Sequence, residues 1–114
     1  MSQRNKVLLK GSLQIIILKL LKERERMYGY EITQLVKDVT DGDILLTEGA
    51  LYPALHKMEK EGLLLTSVEL VDNRARKYYS LTPEARTEAD EKLNETKSFL
   101  ESLDLLLNLK PKLT

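Results

Sequence analysis

The sequence predicts a mainly α-helical domain with one β-hairpin, closed by a long C-terminal helix. Three observations carry that expectation. Apolar residues recur at helical spacing in three stretches before Gly62, the period then changes to alternation between Leu63 and Leu81, and Thr82-Pro83 restarts a helix. Three helices followed by a hairpin is the order of a winged helix-turn-helix. The chain accordingly divides into a winged helix-turn-helix over residues 1–82 and a C-terminal dimerisation helix over 83–110.

A short polar arm opens the chain, followed by Val7, Leu8 and Leu9. Ser12 then reads as the N-cap of a first helix running to Glu25. Leu13, Ile16, Ile17, Leu20 and Leu21 give it a wide apolar face, extended by Ile15 and Leu18, so it belongs at the centre of the fold. A second helix runs from Tyr28 or Gly29 to Val39, with Tyr28, Ile32, Leu35, Val36 and Val39 inward, and Thr40 to Asp43 form a loop. Ile44 and Leu45 suit a short extended piece.

The third helix, about 48–61, is the one the rest is arranged around. Leu51, Leu55 and Met58 form its inner face, Thr47 caps it, and Gly62 suits the left-handed residue that ends it. Its outer face carries Glu48, Tyr52, Pro53, His56, Lys57 and Lys60, a mixture of aromatic, imidazole and ammonium groups that suits a surface reading DNA. The wing follows at about 63–81. Leu64, Thr66, Val68 and Leu70 share one side of its first strand, and Asp72-Asn73 form the turn. Arg74, Arg76 and Lys77 make its tip basic, which fits phosphate contact as well as a solvated hairpin end. In the last helix Leu93, Thr96, Leu100, Leu103 and Leu107 follow heptad spacing. A chain this short cannot cover that stripe itself, so we expect it to pair with a second copy.

The 114 residues contain no cysteine, which excludes disulfides, thiolate zinc sites and cysteine nucleophiles. One histidine, His56, excludes a histidine-rich metal site. No apolar run reaches the ~18 residues of a membrane span, no signal peptide is visible, and a cytoplasmic protein is the default. No set of converging nucleophile, base and oxyanion donors marks an enzyme, and no cofactor is implied. The net charge of zero hides segregation. Residues 1–22 hold Arg4, Lys6, Lys10, Lys19 and Lys22 without an acid, whereas 84–104 hold seven acids against three bases.

Four segments resemble the PadR family of bacterial transcriptional regulators: LLKGSLQIIILKLL (8–21), MYGYEI (27–32), TEGALYPALHKMEKEGLL (47–64) and RARKYYSLTPEAR (74–86). The resemblance implies a homodimer joined through the C-terminal helix, binding inverted-repeat operator DNA, usually as a repressor. It places Glu48, Gly49, Tyr52, Pro53, His56 and Lys57 on the recognition helix and Arg74, Arg76 and Lys77 on the wing. Tyr28 and Tyr30 would pack beneath the recognition helix, and alternation sends Tyr78 and Tyr79 to opposite faces. Asn73 stands where the family often has glycine, and Ala85 replaces another frequent glycine. Relatives release DNA on binding small molecules. A small apolar or aromatic effector here would use Val7, Leu8, Ile15, Phe99 and Leu103, although the absence of tryptophan argues against the drug stacking known in some members. The alternative is a winged helix that binds a protein without sequence-specific DNA recognition.

Overall fold

The apolar run from Leu13 to Leu21 needs neighbours on several sides, and the structure puts it at the centre. In the computed structural model, which describes residues 6–111 and the side chains from Leu8 onward, helix α1 spans Lys6–Glu23. The polar arm with Arg4, and the side chains of Lys6 and Val7, lie outside the described residues. Leu13, Ile17, Leu18 and Leu21 are buried, and Ile15, Ile16 and Leu20 pack half-buried against the same core. The expected Ser12 cap is corrected. Ser12 lies inside α1, where its hydroxyl donates back to the Leu8 carbonyl at 2.8 Å.

A two-residue strand, β1 (Met27–Tyr28), leads into α2 (Gly29–Val39). α2 ends in a Schellman turn: the Gly42 N–H donates to the Lys37 carbonyl at 2.8 Å and Asp41 N–H to Asp38 at 3.4 Å. Ile32 and Val36 are buried and Leu35 half-buried, but Val39, expected inward, is exposed where the helix ends. Residues 44–46 form no strand, although Leu46 itself is buried.

Helix α3 spans Glu48–Lys60 with Leu51, Leu55 and Met58 buried. Thr47 accepts from the Ala50 N–H at 3.2 Å. Its end is a second Schellman turn, with Gly62 at φ 81° and the Leu63 N–H on the Met58 carbonyl at 2.9 Å. Strands β2 (Leu64–Val71) and β3 (Arg74–Leu81) make the wing, and the sheet order is β1-β3-β2, all antiparallel. Asp72 and Asn73 both take positive φ, 51° and 63°, the type I′ geometry that a two-residue hairpin favours. Met27, Leu64, Tyr79 and Leu81 are buried on the inner face of the sheet. Val68 and Leu70 share that face but are 66% and 78% exposed, because the hairpin runs out past the core.

Helix α4 spans Pro83–Leu107. Thr82 fixes its start: its hydroxyl accepts from the Ala85 N–H at 3.2 Å and donates to the Gly62 carbonyl at 3.1 Å. Ala85 and Ala89 are buried, and α4 is tied to α1 at that end. Arg86 donates to the Leu21 and Lys22 carbonyls at 3.3 and 3.4 Å, and Lys22 pairs with Asp90 at 2.8 Å. Farther along, the stripe emerges from the fold.

Candidate nucleic-acid interface

With Leu51, Leu55 and Met58 facing the core, 100° per residue turns Gly49, Pro53, His56, Lys57 and Lys60 outward. All five are exposed, as is Glu48. His56, Lys57 and Lys60 enter no ion pair among the described residues. Tyr52 is only half-buried, because its ring closes over the first residue of α2. A Cβ on Gly29 would stand 2.7 Å from Tyr52 Cζ and 3.1 Å from its Cε1. Gly29 is therefore what lets α2 and the α3 tyrosine come together.

Beside it lies the wing. An open cleft of about 700 Å³ between α3 and the hairpin is shared by Tyr52, His56, Arg74, Arg76 and Lys77, so the structure brings recognition-helix and wing residues to one surface. Tyr30 lines the same cleft and is 58% exposed, which corrects its expected place beneath α3. Tyr28 is corrected too. It sits on the sheet face that carries Tyr78, not under the recognition helix, because its pairing in β1 sets its direction.

The three wing cations differ in environment. Arg74 enters no ion pair among the described residues. The Arg76 guanidinium lies 4.1 Å from the Tyr28 ring centroid, and Arg26 lies 4.0 Å from that of Tyr78. The two rings meet edge to face at 5.5 Å. Arg26 also pairs with Glu69, the cross-strand neighbour of Arg76. That hydrogen bond to Arg26 holds the Glu69 carboxyl below the usual glutamate range, and Glu69 in turn holds the Arg26 guanidinium charged. Lys77 points to the inner face, 3.8 Å from Glu59 of α3 and 5.4 Å from the Tyr79 ring. Glu59 also accepts from Thr66 at 3.3 Å, so one α3 carboxylate ties both wing strands to the helix. Burial first, then Tyr52 and Glu59, pushes the Tyr79 phenol up from its ordinary value.

A second cleft, of about 790 Å³, lies on the other side of α3. Gly49, Pro53 and Lys57 form one wall and Lys10, Gly11 and Gln14 of α1 the other. Sequence periodicity singled out neither this α1 wall nor the Arg26–Tyr28–Glu69–Tyr78 cluster. Of these, only the basic, acid-free start of the chain signalled α1.

On α4, Leu93, Thr96 and Leu103 are half-buried, while Leu100 and Leu107 are 55% and 75% exposed. Phe99 is exposed beside them, Ile15 is half-buried on α1, and Leu8 lines a small pocket of about 210 Å³ with Ile16 and Ile44. None of these three clefts is lined by Ile15, Phe99 or Leu103. Among the described residues no carboxylate–histidine group suits a metal ion, and no helix is long and apolar enough to cross a membrane.

The model of the transcriptional regulator PadR-like family matches residues 17–91, from the middle of α1 through the wing into α4. The chain belongs to this family. A PadR-like chain is a transcriptional regulator and not an enzyme. The chain is similar to an uncharacterised protein of Lysinibacillus sphaericus, 31% identical over 101 residues, covering 88% of this chain and 92% of the relative. Among solved structures, a transcriptional regulator of Clostridium thermocellum superposes with TM-score 0.74 at 30% identity, covering 85% of this chain and 91% of its own. A PadR-family regulator of Eggerthella lenta gives 0.73 at 29% identity, covering 96% and 93%.

Proposed function

We propose that the protein acts as a homodimeric repressor that inserts α3 into the major groove of an inverted-repeat operator. The observation that carries this is the surface shared by α3 and the wing. His56 is exposed on the helix face away from the core and shares a cleft with Arg74 and Arg76, while Lys57 is exposed on the other side of the same helix. Side chains that reach base edges there are His56, Glu48 and the open backbone at Gly49, while Lys57, Tyr52 and the wing cations serve phosphate. Pro53 shapes the helix between them, its missing N–H leaving the Gly49 carbonyl without its helical partner. Such a protein works where DNA is accessible, in the cytoplasm.

The second copy is supported by the stripe of Leu93, Thr96, Leu100, Leu103 and Leu107, which leaves the fold still apolar. Pairing along it would set two recognition helices about one helical turn, ~34 Å, apart on DNA. An apolar or aromatic effector held by Leu8, Ile15, Phe99 and Leu103 would have its site built only when α4 of the second copy packs against α1.

One observation favours a protein partner instead: Arg76 is already stacked on Tyr28 and Lys77 already faces Glu59. Selection of bound sequences from a random duplex pool at low and moderate salt decides. Recovery of an inverted repeat supports the operator function; only weak, salt-sensitive retention without sequence preference supports the protein partner.

A further inference from the structure

Gly11 and Gly49 lie inside α1 and α3, where glycine is a poorer helix former than alanine. The fold requires neither. Among the described residues a Cβ on Gly11 would meet no atom within 4 Å, and one on Gly49 only the Thr47 hydroxyl at 4.0 Å, and neither glycine has positive φ. Gly29 contrasts with both, since Tyr52 occupies the space of its Cβ. The two glycines without an internal role line the same groove, the 790 Å³ cleft between α1 and α3. Bare backbone on both walls admits an approach closer than side chains would permit.

Charge identifies what approaches. Lys10 stands on one wall and Lys57 on the other, no acidic residue lines the groove, and neither lysine enters an ion pair among the described residues. The groove also continues without a break into the outer face of α3 through Gly49, Pro53 and Lys57. Its floor, with Leu13 and Met58, is apolar and suits the faces of deoxyribose.

We propose that this groove seats one sugar–phosphate strand of the duplex, beside the major groove that α3 enters. Lys10 and Lys57 neutralise its phosphates, Gln14 donates to it, and the bare backbones of Gly11 and Gly49 meet it closely. This inference rests on the operator-binding function above and adds α1 to the interface.

Gly11→Ala and Lys10→Gln test it, each measured for melting temperature and for affinity to the selected duplex across a salt series. Gly11→Ala is expected to melt a few degrees higher, as the better helix former, yet to bind about tenfold more weakly. Lys10→Gln is expected to keep its melting temperature and to reduce the slope of log affinity against log salt by about one. Wild-type affinity and slope in both variants, on a duplex the wild type selects, would overturn the α1 contact and leave the operator function standing. A wild type that selects no duplex would remove the operator function, and this inference with it.

Discussion

Gly29→Ala tests whether the α2–α3 junction is as tight as the structure shows. The new Cβ would stand 2.7 Å from Tyr52 Cζ, closer than carbon atoms tolerate, and 3.1 Å from Cε1, tighter than most such contacts. The obstacle is a ring packed against the core, not the end of a flexible chain, so it cannot swing aside without losing contacts. Overpacking of this kind costs roughly 1–3 kcal/mol. The helix-propensity gain of alanine, at most about 1 kcal/mol, opposes it. That gain belongs to helix interiors and Gly29 is the first residue of α2, so a net loss of about 1–3 kcal/mol remains, which lowers the melting temperature of a domain near this size by roughly 4–8 °C per kcal/mol. Thermal unfolding followed by circular dichroism reads the shift. Repeating it in a Tyr52→Leu background, where the ring is gone, is expected to abolish most of the penalty. A neutral or stabilising Gly29→Ala, or an equal penalty in both backgrounds, would refute the close packing.

Leu100→Lys combined with Leu107→Lys places two charges on the outer half of the α4 stripe. Sedimentation is expected to show a dimeric wild type and a monomeric variant, with helix content retained; a variant that stays dimeric would remove α4 from the interface. Arg74→Ala and Arg76→Ala are each expected to weaken binding to every duplex and to flatten its salt dependence, and unchanged binding in both would take the wing off the DNA. The Arg26–Glu69 pair makes the wing's brace sensitive to acid. Because the folded pKa of Glu69 is depressed, its contribution is present above the ordinary glutamate range and is lost as pH falls through the lowered value. The Arg26 side-chain resonances are expected to titrate with a midpoint below that range, and Glu69→Gln is expected to abolish the transition. Arg86→Ala removes two bonds to α1 carbonyls and is expected to cost about 0.5–1.5 kcal/mol, read by urea unfolding; no loss would mean the α1–α4 junction is held by Ala85, Ala89 and the Lys22–Asp90 pair without it.

Where a local signal was strong, sequence and structure agree. Thr47, Gly62 and Thr82-Pro83 act within a few residues of themselves, so the ends of α3 and the start of α4 were legible. Asp72-Asn73 marked the turn because both side chains tolerate positive φ. At the start of α1 the local signal misleads, because a serine before an apolar run resembles a cap, whereas Ser12 bonds back within a helix that already runs from Lys6. Strand β1 was invisible, since two residues cannot show a period; it exists because β3 offers it a partner. Alternation puts Val68 and Leu70 on the inner side of β2, but it does not say how far a hairpin outruns its core. The interface divides in the same way. The outer residues of α3 follow from helical geometry alone, except Tyr52, whose ring folds over Gly29. The brace joining Arg26 to Glu69, 43 residues away, and the meeting of Lys10 with Lys57 exist only once the chain is folded.

The claim that α3 reads DNA sequence is tested most directly by repeating the duplex selection with His56→Ala. The account predicts an inverted repeat of unchanged spacing in which preference is lost at one or two positions, symmetrically in both halves. A recovered sequence identical to that of the wild type would contradict it.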